Sequence, residues 1–272
     1  MSIQIAETRF PFGENWRRFL SVLDEGRIVE SQKALAAMLG VETLAGRRFL
    51  DIGSGSGLSS LAARRLGATV VSFDYDPQSV ACTQELRRRY YPGDGEAEWR
   101  VIQGSALDRA FVDGLGTFDI VYSWGVLHHT GDMATGLDNA ARAVAPGGLL
   151  MVAIYNDQGW PSRVWTVVKR WYNELPPSLR FLVLLPAFAR LWGPALIRDL
   201  LRGRGLKRWR DYRGNRGMSA WHDVVDWVGG YPFEVAKPEE IFDFYRSRGF
   251  ALLRLKTCGG GLGCNEYVFA RT

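Results

Sequence analysis

Apolar positions divide the chain before any motif is needed. Between residues 14 and 40 they recur at Trp16, Phe19, Leu20 and Leu23, then at Ile28, Leu35, Met38 and Leu39, a spacing that predicts helices laid against a core, with Gly40 as a stop. From Arg47 the pattern becomes short apolar runs alternating with helical stretches. Phe49–Ile52, Ala68–Phe73, Trp99–Ile102, Phe118–Tyr122 and Leu149–Tyr155 read as strands, and Leu58–Leu66, Pro77–Tyr90 and Met133–Val144 as helices, with a turn at Pro146-Gly147-Gly148. The alternation stops near residue 156. Residues 157–230 are helical, aromatic and basic, and the pattern resumes with a helix at Pro238–Arg248 and strands at Leu252–Lys256 and Tyr267–Ala270. The prediction is an α/β fold: a doubly wound, mostly parallel seven-stranded sheet with a helical insertion after the fifth strand. Four segments follow: a helical cap over 1–44, a core over 45–156, an insertion over 157–235, and a closing helix and strands over 236–272.

Composition changes this picture little. With 272 residues, 47% hydrophobic and 23% charged, the chain can bury a sizeable core, and disorder is excluded over most of its length. The net charge of +5 is local: residues 198–216 hold Arg198, Arg202, Arg204, Lys207, Arg208, Arg210, Arg213 and Arg216 against Asp199 and Asp211, so that segment is +6 and the remainder −1. The basicity does not mark the whole chain as a nucleic-acid binder. Cys82, Cys258 and Cys264 are too few for a disulfide framework and match no zinc spacing, so no metal is expected and a reducing, cytoplasmic setting is. The N-terminus reads as lacking a secretory signal. The longest apolar run, Phe181 to Ile197, contains Pro186, Arg190 and Pro194 and is not expected to span a membrane.

The chemistry begins at Asp51-Ile52-Gly53-Ser54-Gly55-Ser56-Gly57, which follows a strand and opens a helix. Glycines there allow a tight turn and close backbone approach to a ligand. Asp74 ends the second strand 21 residues after Gly53, where an acid can accept from ribose hydroxyls. A dinucleotide fingerprint would need a third glycine at the position of Leu58, so the spacing is D-x-G-x-G-x-G instead.

At this point the sequence resembles the class I S-adenosylmethionine-dependent methyltransferases, over about residues 45–156. The resemblance implies S-adenosylmethionine as cofactor and S-adenosylhomocysteine as product. It places Gly53, Ser54, Gly55 and Gly57 against the methionine part, Asp51 by its amino group, Asp74 on the ribose and Tyr75 on the adenine. Gln103-Gly104-Ser105-Ala106 stands where the family often has Gly-Asp-Ala, so Ser105 replaces the acid that commonly accepts from the adenine amino group. Ser123 and Trp124 begin the segment beside the sulfonium, and Val126-Leu127-His128-His129 overlaps the quinone-type methylases of the small-molecule branch. Val144-Ala145-Pro146-Gly147-Gly148 matches the family's turn before the fifth strand.

Methyl transfer from a sulfonium needs alignment above all. A hydroxyl or acidic carbon acceptor also needs a base, which directs attention to the three histidines. His222, followed by Asp223 as an orienting carboxylate, is the first expectation, and His129 the second. His128, Tyr155, Trp160, Trp221 and Tyr231 are expected to line the acceptor side, together with 217–223 and 229–234. For the insertion, four readings stay open: a lid over the acceptor, a peripheral membrane or lipid contact through 164–216, a nucleic-acid patch, and a homodimer interface. Aromatic and basic residues are not interleaved on a strand, which disfavours nucleic acid. The function expected is methylation of a small-molecule acceptor, a hydroxylated or lipid-like metabolite, at oxygen first and carbon next. The rivals are an RNA or protein methyltransferase using the basic 198–216 segment, and a non-enzymatic cofactor-binding sensor or assembly module.

Overall fold

The computed structural model describes residues 10–214 and 220–272. Gly217, Met218 and Ser219 of the expected acceptor segment, Arg216 of the basic run and residues 1–9 of the cap lie outside the described residues. The cap region forms two helices, α1 (Phe12–Leu20) and α2 (Glu25–Leu39). They are separate because the Asp24 side chain accepts from the Arg27 N–H at 2.8 Å and starts a helix of its own. Gly40, left-handed at φ 71°, ends α2 where the sequence placed a stop.

The core then runs β1 (Arg48–Ile52), α3 (Leu58–Arg65), β2 (Thr69–Asp74), α4 (Pro77–Tyr90), β3 (Trp99–Gln103), α5 (Arg109–Gly114), β4 (Phe118–Trp124), α6 (Met133–Arg142) and β5 (Val144–Tyr155). The insertion supplies α7 (Trp160–Glu174), α8 (Phe181–Leu201), α9 (Lys207–Arg210) and α10 (Ala220–Gly229), and the chain closes with α11 (Pro238–Arg246), β6 (Phe250–Lys256) and β7 (Cys264–Arg271). The seven strands lie in the order β3-β2-β1-β4-β5-β7-β6, parallel except for β7, which runs antiparallel to both neighbours. Strand order reverses between β1 and β4, and in such sheets ligands bind outside the carboxyl ends of the strands at that point.

Two apolar layers cover the sheet. One gathers Phe49, Leu61, Leu86 and Trp99 with Phe19 and Ile28 of the cap. The other gathers Leu50, Val121, Leu137 and Val152 with Tyr245 and Phe269. Pro146–Gly148, expected as a turn, lies inside β5: the register against β4 jumps from Phe118↔Val144 to Ile120↔Leu149, so the three residues are absorbed as a bulge, with Gly147 at φ 72°.

The insertion has its own small core, where Tyr172, Ala187, Val224 and Val228 meet Phe10. It is closed at its base by the bridge Asn156↔Ala236. α8 continues through Pro186 and Pro194, and with the turn before it Pro177–Leu201 is, by length and composition, long and apolar enough to cross a membrane.

Candidate active site

The glycine loop owes its shape to contacts on both sides. Gly53 and Gly55 adopt φ 75° and 53°, and a Cβ on Gly53 would stand 2.3 Å from Val126 Cγ1. Both the backbone conformation and the packing therefore require glycine at Gly53. Gly53 and Ser54 donate to the Phe73 carbonyl at 2.9 and 3.0 Å, which pins the loop to the end of β2.

Asp74 accepts from the Gly55 N–H and the Asp76 N–H, each at 2.9 Å. Withdrawal from water raises its pKa to about 6, and those two N–H groups oppose the shift. Asp51 is buried and accepts from Ser60 Oγ at 2.5 Å; Ser60 Oγ lies 2.7 Å from Ser72 Oγ, which takes the Trp99 indole N–H at 2.9 Å. Burial pushes Asp51 up to about 7, the Ser60 hydrogen bond pulling the other way. Two carboxylates at adjacent strand ends, each short of full compensation, suit a ligand carrying an ammonium and a diol.

The cap helix is tied to this wall. Asp76 caps α4 by accepting from the Gln78 N–H at 2.9 Å, and its other oxygen takes the Gly13 N–H at 2.8 Å. Gly13 fits there because a Cβ would meet Gln78 and Asp76 at 2.5 and 2.6 Å. α1 thereby brings Trp16 against Gly55, roofing the loop.

A cavity of about 1100 Å³ runs from the loop to a second compartment beneath α8 and α10. Pockets for single ligands measure about 300–1,000 Å³, so there is room for a second molecule beside a nucleoside. Leu191, Trp192, Val224 and Trp227 give the second compartment apolar walls, and Asp223, Asp226, His129 and Tyr155 give it polar groups. Asp226 is held by the amide of buried Asn15, which donates at 2.7 Å. Asp223 accepts from the Tyr212 hydroxyl at 2.6 Å. Burial raises the Asp226 pKa well above the usual carboxylate range, and Asp223 adds to the rise.

Behind this wall Lys169 is fully buried, donating to the Trp227 carbonyl and lying 4.4 and 4.6 Å from the Trp227 and Phe233 ring centroids. Burial drives its pKa well down. His129 Nδ1 lies 2.6 Å from the Pro232 carbonyl, which can only accept; the proton therefore sits on Nδ1 and the Nε2 lone pair remains. Burial, then the nearby Lys169, lower the His129 pKa to about 3, so the ring is neutral.

The core is similar to known proteins. Residues 50–152 match the model of a methyltransferase domain family. Over 117 residues the chain is 34% identical to a ubiquinone biosynthesis O-methyltransferase of Caulobacter sp., covering 41% of this chain and 42% of that protein. A protein of the same description from Sinorhizobium fredii is 34% identical over 116 residues, covering 42% and 44%. Over residues 50–152 this chain is therefore similar to methyltransferases.

The matched region spans less than half the length of these curated relatives. The fold is shared more widely: a magnesium protoporphyrin IX methyltransferase of Synechocystis, solved with bound S-adenosylhomocysteine, superposes with a TM-score of 0.56 at 15% identity, over 95% of this chain and 94% of that one.

Within the core, Asp51, Gly53, Ser54, Gly55, Asp74, Tyr75, Ser105, Ala106 and Trp124 all line the cavity. Gly57 and Ser123 do not. Gly57 lets α3 approach α4, a Cβ there reaching Thr83 Cα at 2.8 Å, and Ser123 donates to the Ile52 carbonyl at 3.2 Å. Ser105 Oγ accepts from the Leu107 N–H at 3.1 Å and so shapes the turn after β3.

On the acceptor side, His129, Tyr155, Asp223 and Tyr231 line the cavity. His222 is not among its lining residues: it sits half-buried by Phe19, 6.1 Å between ring centroids, and its carbonyl accepts from Asn15. His128 is fully buried, stacked 3.9 Å from Tyr155, its Nδ1 accepting from the Tyr155 N–H at 3.3 Å. Trp160 and Trp221 face solvent, at 74% and 42% exposure. Sequence reasoning missed Asp226, Asn15 and Lys169. The signal was present in the spacing Asp223-x-x-Asp226, one turn of helix carrying two acids on one side.

Proposed function

We propose that this chain methylates a hydroxyl oxygen of a small, largely apolar acceptor held beneath α8 and α10. The observation that carries the reading is that one cavity is lined both by Asp51 and Asp74 and by Asp226 and His129. The cofactor end fits S-adenosylmethionine: a buried carboxylate for its ammonium, a strand-end carboxylate for its ribose, and a loop whose glycines admit no side chain. When bound, that cofactor supplies the methyl group as an activated sulfonium.

The chain's own work is alignment and proton removal. Asp226 is the base we assign. Burial raises its pKa and so strengthens its ionised form as a proton acceptor, and Asn15 fixes one of its oxygens. His129, held neutral, serves as a fixed hydrogen-bond acceptor. His222, the first choice from sequence, stands away from the cavity wall. The oxygen preference draws support from the two ubiquinone biosynthesis O-methyltransferases. No arginine of the basic 198–210 run lines the cavity among the described residues, which speaks against a polymer acceptor.

The test is incubation with S-adenosylmethionine and a panel of hydroxylated aromatic and prenylated metabolites, read by S-adenosylhomocysteine release and product mass. The expected product is an O-methyl ether. Tight S-adenosylhomocysteine binding with no turnover across the panel, and none on RNA or protein, would replace this reading with that of a cofactor-binding sensor.

A further inference from the structure

We infer that α7 and α8 form a docking face for an anionic lipid surface. Exposure alternates along α8 with the helical period. Val183, Leu184, Ala187, Phe188, Leu191 and Trp192 turn inward, onto the insertion's small core and the cavity. Phe181, Leu182, Leu185, Ile197, Leu200 and Leu201 are exposed, Leu201 at 84%, with Leu182, Leu185, Ile197 and Leu200 on the side away from the inward set. α7, which touches α8, adds exposed Val164, Val167 and Trp171. Both helices lay their other sides on α10, so these apolar stripes face away from the protein. Single exposed leucines are ordinary on soluble proteins; two adjoining helices with apolar outer stripes are not.

Charge selects the occupant. Arg190 and Arg198 are exposed on α8, and Arg202 and Arg204 follow it, also exposed. The helix's one acid, Asp199, is buried at 2% exposure. Apolar insertion beside exposed positive charge is the makeup of a helix lying in the headgroup region of an anionic bilayer, and tryptophans suit that depth. A second copy offering the same face would set positive charge against positive charge. Spanning is disfavoured because one long side of α8 is already packed on α10. Docking would place the cavity wall formed by Leu191 and Trp192 within one helix diameter, about 10–12 Å, of the lipid. The inference stands whether or not the proposed reaction does.

The test is flotation of the full chain with vesicles of phosphatidylcholine containing phosphatidylglycerol, against pure phosphatidylcholine. Binding to the anionic vesicles is expected, weakened by salt. Leu182→Ser and Leu201→Ser should each lower partitioning about tenfold. Arg198→Gln with Arg202→Gln should reduce the preference for phosphatidylglycerol. Circular dichroism and S-adenosylhomocysteine binding should match the parent chain, since none of these side chains lines the cavity. Failure to float with either vesicle, or flotation indifferent to the leucine variants, overturns the inference. So does concentration-dependent self-association that the leucine variants abolish in a chain that ignores vesicles, which would make the face an interface between copies.

Discussion

Two pairs of acids line one cavity, and they are held by different means. Asp51 and Asp74 end adjacent strands, and their partners are local: a serine on the next helix and backbone N–H groups of the loop itself. Asp223 and Asp226 ride on α10 of the insertion. Asp226 is fixed by Asn15, 211 residues away in sequence, and Asp223 by Tyr212, 11 residues before it. The first pair follows from the strand-loop-helix unit that contains it. The second exists only once the cap, the core and the insertion have packed together. The two walls should therefore fail differently when disturbed.

The largest separation should come from Asp226→Asn. Loss of a general base costs about 10²–10⁴ in kcat, while S-adenosylhomocysteine affinity should stay within about twofold of the parent. Asn15 keeps a partner in the variant, so folding should survive. An equal loss of cofactor affinity, or an unchanged kcat, would break the division between the walls and remove Asp226 as the base.

Gly53→Ala should do the reverse. A left-handed non-glycine residue costs about 1–2 kcal/mol and overpacking against Val126 about 1–3 kcal/mol more, which together predict roughly a 30- to 5,000-fold loss of S-adenosylhomocysteine affinity. Adding Val126→Ala should recover the packing part and leave the backbone part. Calorimetry on the single and double variants separates them. Full recovery would mean that conformation at Gly53 contributes nothing.

The same contrast explains what could be read from the sequence. Strand order, the loop, Asp51 and Asp74 were legible because each is set by residues close in sequence: a buried run, a turn that needs glycine, an acid at the next strand end. The boundary between α1 and α2 rests on a single capping aspartate, Asp24. His222 looked catalytic from its neighbours Trp221 and Asp223, yet successive helix positions point about 100° apart. Asp223 reaches the cavity and His222 does not. Lys169 read as one more charge in a basic region. Nothing local predicts a lysine with no exposure, sealed among Trp227, Phe233 and Tyr155.

Acid should also divide the walls. In the empty protein Asp51 holds a proton below about pH 7 and Asp74 below about 6. A ligand ammonium favours the ionised form of Asp51, so affinity should fall as pH drops through 7, by up to about tenfold per unit for that one group. Ser60→Ala removes a hydrogen bond that lowers the Asp51 pKa, and should move the midpoint upward. Stability runs by the same bookkeeping. The raised Asp51 contributes stability present below its unfolded pKa and lost as pH rises through 7, whereas the lowered His129 contributes stability present above its unfolded pKa and lost as pH falls toward 3. Acid should thus loosen the acceptor wall while leaving the Asp51 site folded but closed to ligand. Calorimetry and hydrogen exchange across pH 5–8 would check both signs, and an affinity that is flat across that range would refute the assignment of Asp51.

The smallest effect expected is at Ser105, where the cofactor wall departs from the pattern it resembles. Ser105 Oγ accepts from the Leu107 N–H at 3.1 Å, so the hydroxyl already has a structural task in the turn. Aspartate in the same place can take that N–H with one oxygen and still offer the other, ionised, to an adenine amino group. Ser105→Asp should therefore tighten S-adenosylhomocysteine binding by about two- to tenfold, the worth of one charge-assisted hydrogen bond less the cost of partly desolvating the carboxylate. The gain should vanish for an analogue with hypoxanthine in place of adenine, whose carbonyl cannot donate. A variant that binds both analogues equally tightly would mean that Ser105 lines the cavity without reading the base, and that recognition at this end rests on the loop, Asp51 and Asp74 alone.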